Sequence, residues 1–333
     1  MNTNNKVFCP ECREHSHWEL KKEIRAYEIK GKAYNFEMPV AYCKNCGEEI
    51  EVHGLMDLRA GELDRQYREA EDIVSIKDIE NLMELYNLGK APLSLALGFG
   101  EITITRYLKG QIPSKEYSDV IKKTLESPDY MLVLLNENIE KIGLPAYKKA
   151  ETSIKELQSL LNLSEKMLSV ISYIFEKARE VTPLALQKML YFIEGFFMAF
   201  YNTTLYKEDC VAWLHGPVYE AVYDIFKTFK FSPIDDLRFV ILKNRFNDLS
   251  QREKEVIDLI VDSFGMYSGK ALEVITHKEA PWINARKGVS PTEPSRVCIP
   301  KKDIEKYFKD VYAKYDIKSL DGVKQYIACQ LGA

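Results

Sequence analysis

Four cysteines near the N-terminus form two pairs with the spacing of a metal site. Cys9 and Cys12 make one Cys-x-x-Cys pair, and Cys43 and Cys46 make a second pair after 30 intervening residues. A Cys-x-x-Cys turn places two thiolates on one side of a metal ion, and two such turns complete a tetrahedral set. We therefore predict one structural Zn(II) held by these four side chains.

The segment around the cysteines needs such an ion. The residue pattern predicts strands over Trp18–Ile29, Lys32–Tyr42 and Glu48–Val52. About fifty residues bury too little apolar surface to fold alone, so a metal is expected to stabilise them. Four thiolates also close the coordination sphere, which leaves no open position for a substrate. Three nearby histidines are alternative ligands: His15, His17 and His53.

The composition indicates a soluble protein of a reducing compartment. The chain has 333 residues, of which 46% are hydrophobic and 29% are charged. No apolar run is long enough to cross a bilayer, and the first residues lack the apolar core of a signal peptide. An odd total of seven cysteines with two Cys-x-x-Cys pairs indicates metal chemistry and not disulfides. We expect a cytoplasmic protein that makes no membrane contact.

The three remaining cysteines are isolated, and we predict that they are small buried apolar residues. They are Cys210, Cys298 and Cys329. A nucleophilic pair of Cys210 and His215 lacks an orienting Asp or Asn. The sequence also has no phosphate-binding loop and no open metal site, so we predict that the protein is not an enzyme.

Residues 91–109 are typical of two short helices around a glycine turn. Ala91–Gly98 and Glu101–Lys109 are separated by the run Gly98-Phe99-Gly100, which is the organisation of a helix-turn-helix. The whole chain has a net charge of −4, and the stretch from Glu101 to Lys123 has five basic and three acidic residues. Because this basic patch is weak, we expect a homodimer that binds operator DNA with two copies.

The second of these helices has an inward and an outward face. At 100° per residue, Ile104, Tyr107 and Leu108 share the inward side. The outward and flanking residues, which we predict to contact DNA, are Ile102, Thr103, Thr105, Arg106 and Lys109.

The stretch from Pro183 to Phe229, which contains the most apolar piece of the chain, Met189–Tyr201, is the one around which we expect the fold to be organised. Its first half has the spacing of a helix with one buried face. The run Cys210–Leu214 predicts a short strand, and Pro217 stands where it would open the next helix. Three ring-bearing residues near this turn are candidates for contact with a partner, as such rings often are: Trp213, His215 and Tyr219.

Two groups of motifs resemble known families. The segments LQKMLYFIEG, AWLHGPVYEAVYDIF and THKEAPW occur in this order and resemble the Panacea, or SocA-like, antitoxin domain over roughly residues 165–315. The cysteine pairs and the segment GFGEITITRYLKGQIPS resemble antitoxins of the MqsA (YgiT) type, which join a zinc ribbon to an Xre-like helix-turn-helix. Ile102 stands where that second family often has Asn, so the operator sequence should differ.

Together, these observations and resemblances predict a mainly α-helical protein. We expect a small β zinc ribbon over residues 1–55 and a helix-turn-helix domain over residues 56–126. A helical linker over residues 127–164 would lead to a Panacea domain over residues 165–333, mostly helical with a few short strands.

The Panacea resemblance implies a bacterial antitoxin that binds and neutralises a cognate toxin. The resemblance to repressors implies that it also represses its own operon. We expect Trp213, His215 and Tyr219 to contact the toxin, together with polar tips that project from the preceding helix. Those tips belong to Gln187, Lys188 and Tyr191.

Three alternatives remain at this stage. Antitoxins of the MqsA type hold their toxin with the N-terminal domain, so the zinc ribbon is the rival docking site. The chain could also be a stand-alone transcriptional regulator whose C-terminal domain senses a small ligand. Some related antitoxins act as protease adaptors, which is the third alternative.

Overall fold

Helices dominate the computed structural model of the protein, which describes residues 6–243, 245–290 and 292–332. Over these residues there are seventeen α-helices and six strands, and the strands form three separate two-stranded antiparallel sheets. The predicted fold class, mainly helical with a small N-terminal β region and a few later strands, is therefore confirmed. The chain divides into a first unit, Met1–Tyr147, and a second unit, Lys148–Ala333. The division falls inside the stretch predicted to be a linker.

The first unit begins with two hairpins. Strand β1 (Val7–Cys9) pairs with β2 (Glu14–Ser16), and β3 (Trp18–Ile29) pairs with β4 (Lys32–Cys43). The two-residue turn between β3 and β4 has positive φ at both positions, as the twist of a tight hairpin requires. The two long predicted strands are confirmed. The predicted third strand is wrong, because only a bridge between Tyr42 and Glu49 forms there.

Seven helices complete the first unit, and the first of them packs on the long hairpin. They are α1 (Leu55–Ala70), α2 (Ile76–Leu85), α3 (Lys90–Ala96), α4 (Thr103–Leu108), α5 (Lys115–Glu126), α6 (Pro128–Glu137) and α7 (Ile139–Ile142). Phe36 and Met38 of β4 and Tyr67 of α1 are buried together. Ile112, after α4, packs on the same cluster. The ribbon and the helices thus share apolar burial that the ribbon alone could not supply.

The short helices α3 and α4 are held together by a buried hydroxyl. Ser94 of α3 donates to the Gly100 carbonyl and accepts from the Ile104 N–H at 3.4 Å. The α6–α7 pair also packs on α3, where the Asn138 side chain donates to the Ala96 carbonyl at 3.3 Å. Residues 128–142, which lie within the predicted linker, therefore pack on α3.

The second unit is built around α10 (Pro183–Tyr201). Sixteen of its nineteen residues are buried, and it packs against several surrounding helices and β6. The expectation of a single buried stripe is therefore wrong, because α10 has neighbours on every side. The other helices are α8 (Leu144–Leu161), which begins before the division, α9 (Glu165–Lys177), α11 (Glu220–Phe226), α12 (Leu237–Ile241), α13 (Gln251–Phe264), α14 (Gly269–Thr276), α15 (Ala280–Ala285), α16 (Lys301–Tyr315) and α17 (Leu320–Leu331).

A short hairpin follows α10. Strand β5 (Val211–Trp213) pairs with β6 (Gly216–Val218), with Trp213 opposite Gly216. The predicted strand at β5 is confirmed, but the prediction that Pro217 opens a helix is wrong. Gly216 has a φ of 100°, which turns the chain back onto β5, and α11 begins only at Glu220. Pairing with the neighbouring strand β5 decides the conformation here, against the preference of proline for a helix start.

Candidate functional sites

The four N-terminal cysteines converge on one point. The sulfurs of Cys9 and Cys46 are 3.5 Å apart, those of Cys12 and Cys43 are 3.8 Å apart, and all four lie within 4.8 Å of one another. A tetrahedral ion with metal–sulfur bonds of about 2.3 Å requires sulfur separations of roughly 3.8 Å. The four side chains therefore fit a single metal ion.

The hairpins position these sulfurs and supply donors to them. Cys9 ends β1 and Cys43 ends β4, so each pair begins at a strand end. The Cys12 N–H lies 3.5 Å from the Cys9 sulfur, and the Asn45 N–H lies 3.4 Å from the Cys43 sulfur. Such donors favour the thiolate that a metal requires. Contact with the Ser16 hydroxyl and with the N–H groups of Cys46 and Asn45 lowers the pKa of Cys43 to about 6.

None of the nearby histidines joins this group among the residues that the structure describes. The cluster of ligand atoms consists of the four cysteines. His15 instead packs its ring edge-on against Phe8, with the ring centroids 5.7 Å apart. The donor set is therefore four sulfurs, which suits a soft or borderline metal ion in a structural site.

The residues predicted to read DNA lie as the helical projection requires. Ile104 and Tyr107 are buried, whereas Ile102, Arg106 and Lys109 are exposed. Thr103 and Thr105 are half-buried on the flanks. Ile102 precedes α4 as its N-cap residue, because the helix begins only at Thr103.

The basic patch near α4 is weaker than the residue count indicates. Lys115 donates to Asp72 at 2.6 Å, and Lys122 also donates to that carboxylate. These two hydrogen bonds lower the pKa of Asp72 to about 2. Two of the five basic residues counted from the sequence are therefore already paired, which leaves Arg106 and Lys109 as the exposed cations of the α4 segment.

The six residues predicted to contact a toxin separate into two groups. Trp213 is half-buried and His215 is exposed at the turn of the β5–β6 hairpin. The expectation that Gln187, Lys188 and Tyr191 present polar tips to a partner is wrong, because all three are buried. Tyr219, expected to offer its ring to the toxin, is buried as well.

Two of these buried side chains, Gln187 and Lys188, hydrogen-bond to the backbone of the hairpin and of the residue that follows it. The Gln187 side chain accepts from the Tyr219 N–H at 2.7 Å and donates to its carbonyl at 3.4 Å. The Lys188 amine donates to the Pro217 carbonyl at 3.0 Å. A Cβ on Gly216 would lie 2.7 Å from that amine and 2.8 Å from the Thr276 hydroxyl. Only glycine therefore allows the hairpin to approach α10 and α14 this closely.

A buried polar cluster, which the sequence analysis did not predict, lies near Lys188 and contains Glu279, Tyr307 and Tyr326. Burial lowers the pKa of Lys188 to about 7 and raises the pKa of Glu279 to about 8. Tyr326 donates to Glu279, and the hydroxyls of Tyr307 and Tyr326 are 3.3 Å apart. The acidic residue within THKEAPW was the available signal, because a charged residue inside an apolar motif needs a buried partner.

The segment after α14 closes over the other side of the hairpin. The Trp282 ring N–H donates to the Trp213 carbonyl at 2.9 Å, and Arg286 donates to the Ala212 carbonyl at 3.1 Å. His277 stacks on Trp282 with the ring centroids 4.1 Å apart. The three sequence segments that carried the Panacea resemblance therefore meet at the β5–β6 hairpin.

Of the three isolated cysteines, only Cys210 is buried as predicted. Cys298 and Cys329 are exposed, so that expectation is wrong for them. Burial raises the pKa of the Cys210 thiol, which is the opposite of what a nucleophilic cysteine needs.

Among the described residues, no helix has both the length and the apolar character that crossing a membrane requires.

Comparison with known proteins gives one match. Residues 186–283 match the family model described as "Antitoxin SocA-like, Panacea domain". No curated protein and no solved structure matches the chain. The matched range contains most of α10, the β5–β6 hairpin and α14, which are the elements that meet around Lys188 and Gly216. The match to a SocA-like, Panacea antitoxin domain over residues 186–283 supports an antitoxin role for the chain.

Proposed function

We propose that the chain is a non-enzymatic antitoxin that acts in the cytoplasm, binds a cognate toxin through its second unit and represses its own operon through its first unit. The observation that carries this proposal is the Panacea match over residues 186–283. The hairpin inside that range presents Trp213 and His215 on a rigid support, and large aromatic residues dominate the binding energy of protein interfaces.

Burial reduces the six residues predicted to contact the toxin to two that a partner can reach. Trp213 and His215 are accessible at the hairpin turn, and we assign direct contact to them. Gln187, Lys188 and Tyr219 hold the hairpin through hydrogen bonds and thus act by positioning it. The buried Tyr191 belongs to the core of the same region.

The toxin assignment is tested by co-expression of the full chain with the product of the adjacent gene. We expect the wild-type chain to rescue growth. A Trp213→Ala and His215→Ala double variant should lose rescue, because the interface loses its accessible rings. An Arg106→Ala variant should keep full rescue, because that residue lies in the first unit.

Two outcomes would contradict the assignment. If Cys43→Ser abolishes rescue while the double variant keeps it, the ribbon holds the toxin instead. If the wild-type chain fails to rescue, the antitoxin proposal falls, and a transcriptional regulator with a ligand-sensing C-terminal domain replaces it.

For operator DNA, we propose that a homodimer places two copies of α4 in successive major grooves. The exposed Arg106 and Lys109 and the flanking Ile102, Thr103 and Thr105 make the contacts. A thymine methyl group is the natural partner of an exposed isoleucine in this position.

We expect Arg106→Ala to weaken operator binding by about 1–3 kcal/mol, because a guanine contact is lost. Lys109→Ala should reduce the slope of log affinity against log salt by about one, because one phosphate contact is lost. Lys122→Ala is the matched control and should leave the slope unchanged, since Asp72 already pairs with this lysine. Band-shift titrations at several salt concentrations measure all three effects. A wild-type protein that fails to shift its own promoter at low salt would contradict the proposal.

For the metal, we propose one structural Zn(II) held by Cys9, Cys12, Cys43 and Cys46. When bound, the ion links the two hairpins covalently to one centre, and structural zinc stabilises small domains by roughly 10–16 kcal/mol.

Metal analysis should find one zinc per purified chain. Cys43→Ser should lose the ion and unfold the ribbon hairpins, while hydrogen exchange in the second unit stays unchanged. Cys298→Ser is the control, because this exposed cysteine lies outside the cluster and its loss should leave the zinc content at one. Well under one zinc per chain in a protein whose first hairpins are protected from exchange would disprove the site.

A further inference from the structure

On one flank of the hairpin turn, an exposed lysine and an exposed histidine share one buried carboxylate. Glu273 accepts from the Lys270 amine at 2.7 Å and lies 3.3 Å from the His215 ring nitrogen. The His215 and Lys270 side chains are 62% and 72% exposed, whereas the Glu273 side chain is 6% exposed. The negative charge therefore lies beneath the surface, and the N–H donors face solvent.

On the other flank, a second carboxylate, that of Glu220, contacts one exposed cation and the Trp213 ring. The Glu220 carboxylate accepts from the Trp213 ring N–H at 3.0 Å and lies 3.3 Å from the Arg296 guanidinium. The Arg296 side chain is 80% exposed and the Glu220 side chain is 38% exposed. The indole of Trp213 is thereby fixed between the two cationic flanks, and its ring also packs edge-on against Tyr223.

Lys270 and Arg296 each keep free N–H donors after pairing with their carboxylates. A lysine amine has three N–H donors and a guanidinium has five, and each makes one of these contacts with its carboxylate. The remaining donors are held in place at the surface, so a partner pays less side-chain entropy when it binds them. Asp224 on α11 is an exposed acid in this region, and it is paired with Lys227.

We propose that this surface, made of Trp213, His215, Lys270 and Arg296, binds an acidic segment of the toxin. Carboxylates of that segment would pair with the cations on the two flanks, and an apolar side chain between them would cover the Trp213 ring. The inference rests on the proposed antitoxin function and adds the chemistry of the partner. A nucleic acid fits less well, because this surface has two cations, Lys270 and Arg296, each paired with a carboxylate, whereas phosphate backbones need many.

The test uses the full chain and the purified product of the adjacent gene, with association rates measured at several salt concentrations. We expect Lys270→Glu and Arg296→Glu each to slow association at least tenfold and to flatten its salt dependence, because complementary charge at an interface acts mainly on the association rate. Lys270→Gln should give a smaller effect in the same direction. Lys306→Glu, an exposed reversal on α16, is the control and should associate at a rate close to that of wild type.

Each other outcome contradicts either the acidic partner or the proposed antitoxin function on which it rests. Unchanged or faster association of the two reversal variants, in a chain that still neutralises the toxin, overturns the acidic partner and leaves the antitoxin function intact. Reversal variants that lose operator DNA but keep the toxin assign the surface to nucleic acid instead. A wild-type chain that neither binds nor neutralises the adjacent gene product removes the antitoxin function itself. Thermal unfolding of each variant shows whether a loss of binding reflects a loss of folding.

Discussion

The second unit depends on one close contact, in which the buried amine of Lys188 meets the backbone of the β5–β6 hairpin. The amine donates to the Pro217 carbonyl, and Gly216 leaves no room for a Cβ beside it. Removing an ammonium group from water is costly unless nearby polar groups compensate it. Burial lowers the pKa of Lys188, and Glu273 and Glu279, from the chain beyond the hairpin, offset part of that effect. The amine therefore fixes α10, the hairpin and the α14 region in one arrangement. This arrangement sets the positions of the accessible Trp213 and His215.

In the first unit, the limiting factor is the small apolar surface of the β segment. Four cysteine sulfurs converge at one end of the hairpins, within the reach of a single ion. At the other end, Phe36 and Met38 of β4 are buried against Tyr67 of α1. Packing of β4 against α1 therefore stabilises the hairpins, and the proposed zinc ion would add to this stability at the cysteine end.

Local patterns in the sequence predicted much of this structure. The cysteine cluster follows from the two Cys-x-x-Cys motifs. The long strands β3 and β4 and the exposed face of α4 follow from patterns of residues close along the chain. The errors concern α10, where distant segments decide, and Pro217, where the neighbouring strand decides. Helical periodicity assigned Gln187 and Lys188 to a solvent face, yet their partners come from the hairpin more than twenty-five residues later. The spacing of residues along one helix holds no information about those partners. Pro217 lies in a strand because it pairs with Ala212, five residues earlier, and this hairpin outweighs the preference of proline for a helix start.

The central claim, that the close approach at Gly216 holds the hairpin, is tested most directly by the hydrogen exchange of a Gly216→Ala variant of the full chain. Gly288→Ala is the matched control, because that glycine also has positive φ but no atom lies within 4 Å of its would-be Cβ. A positive φ costs each alanine of order 1–3 kcal/mol, and Gly216→Ala alone must also displace the Lys188 amine. We predict that peptides covering residues 205–230 exchange much faster in Gly216→Ala than in Gly288→Ala, while peptides of the first unit stay unchanged. Equal exchange of those peptides in the two variants would contradict the account.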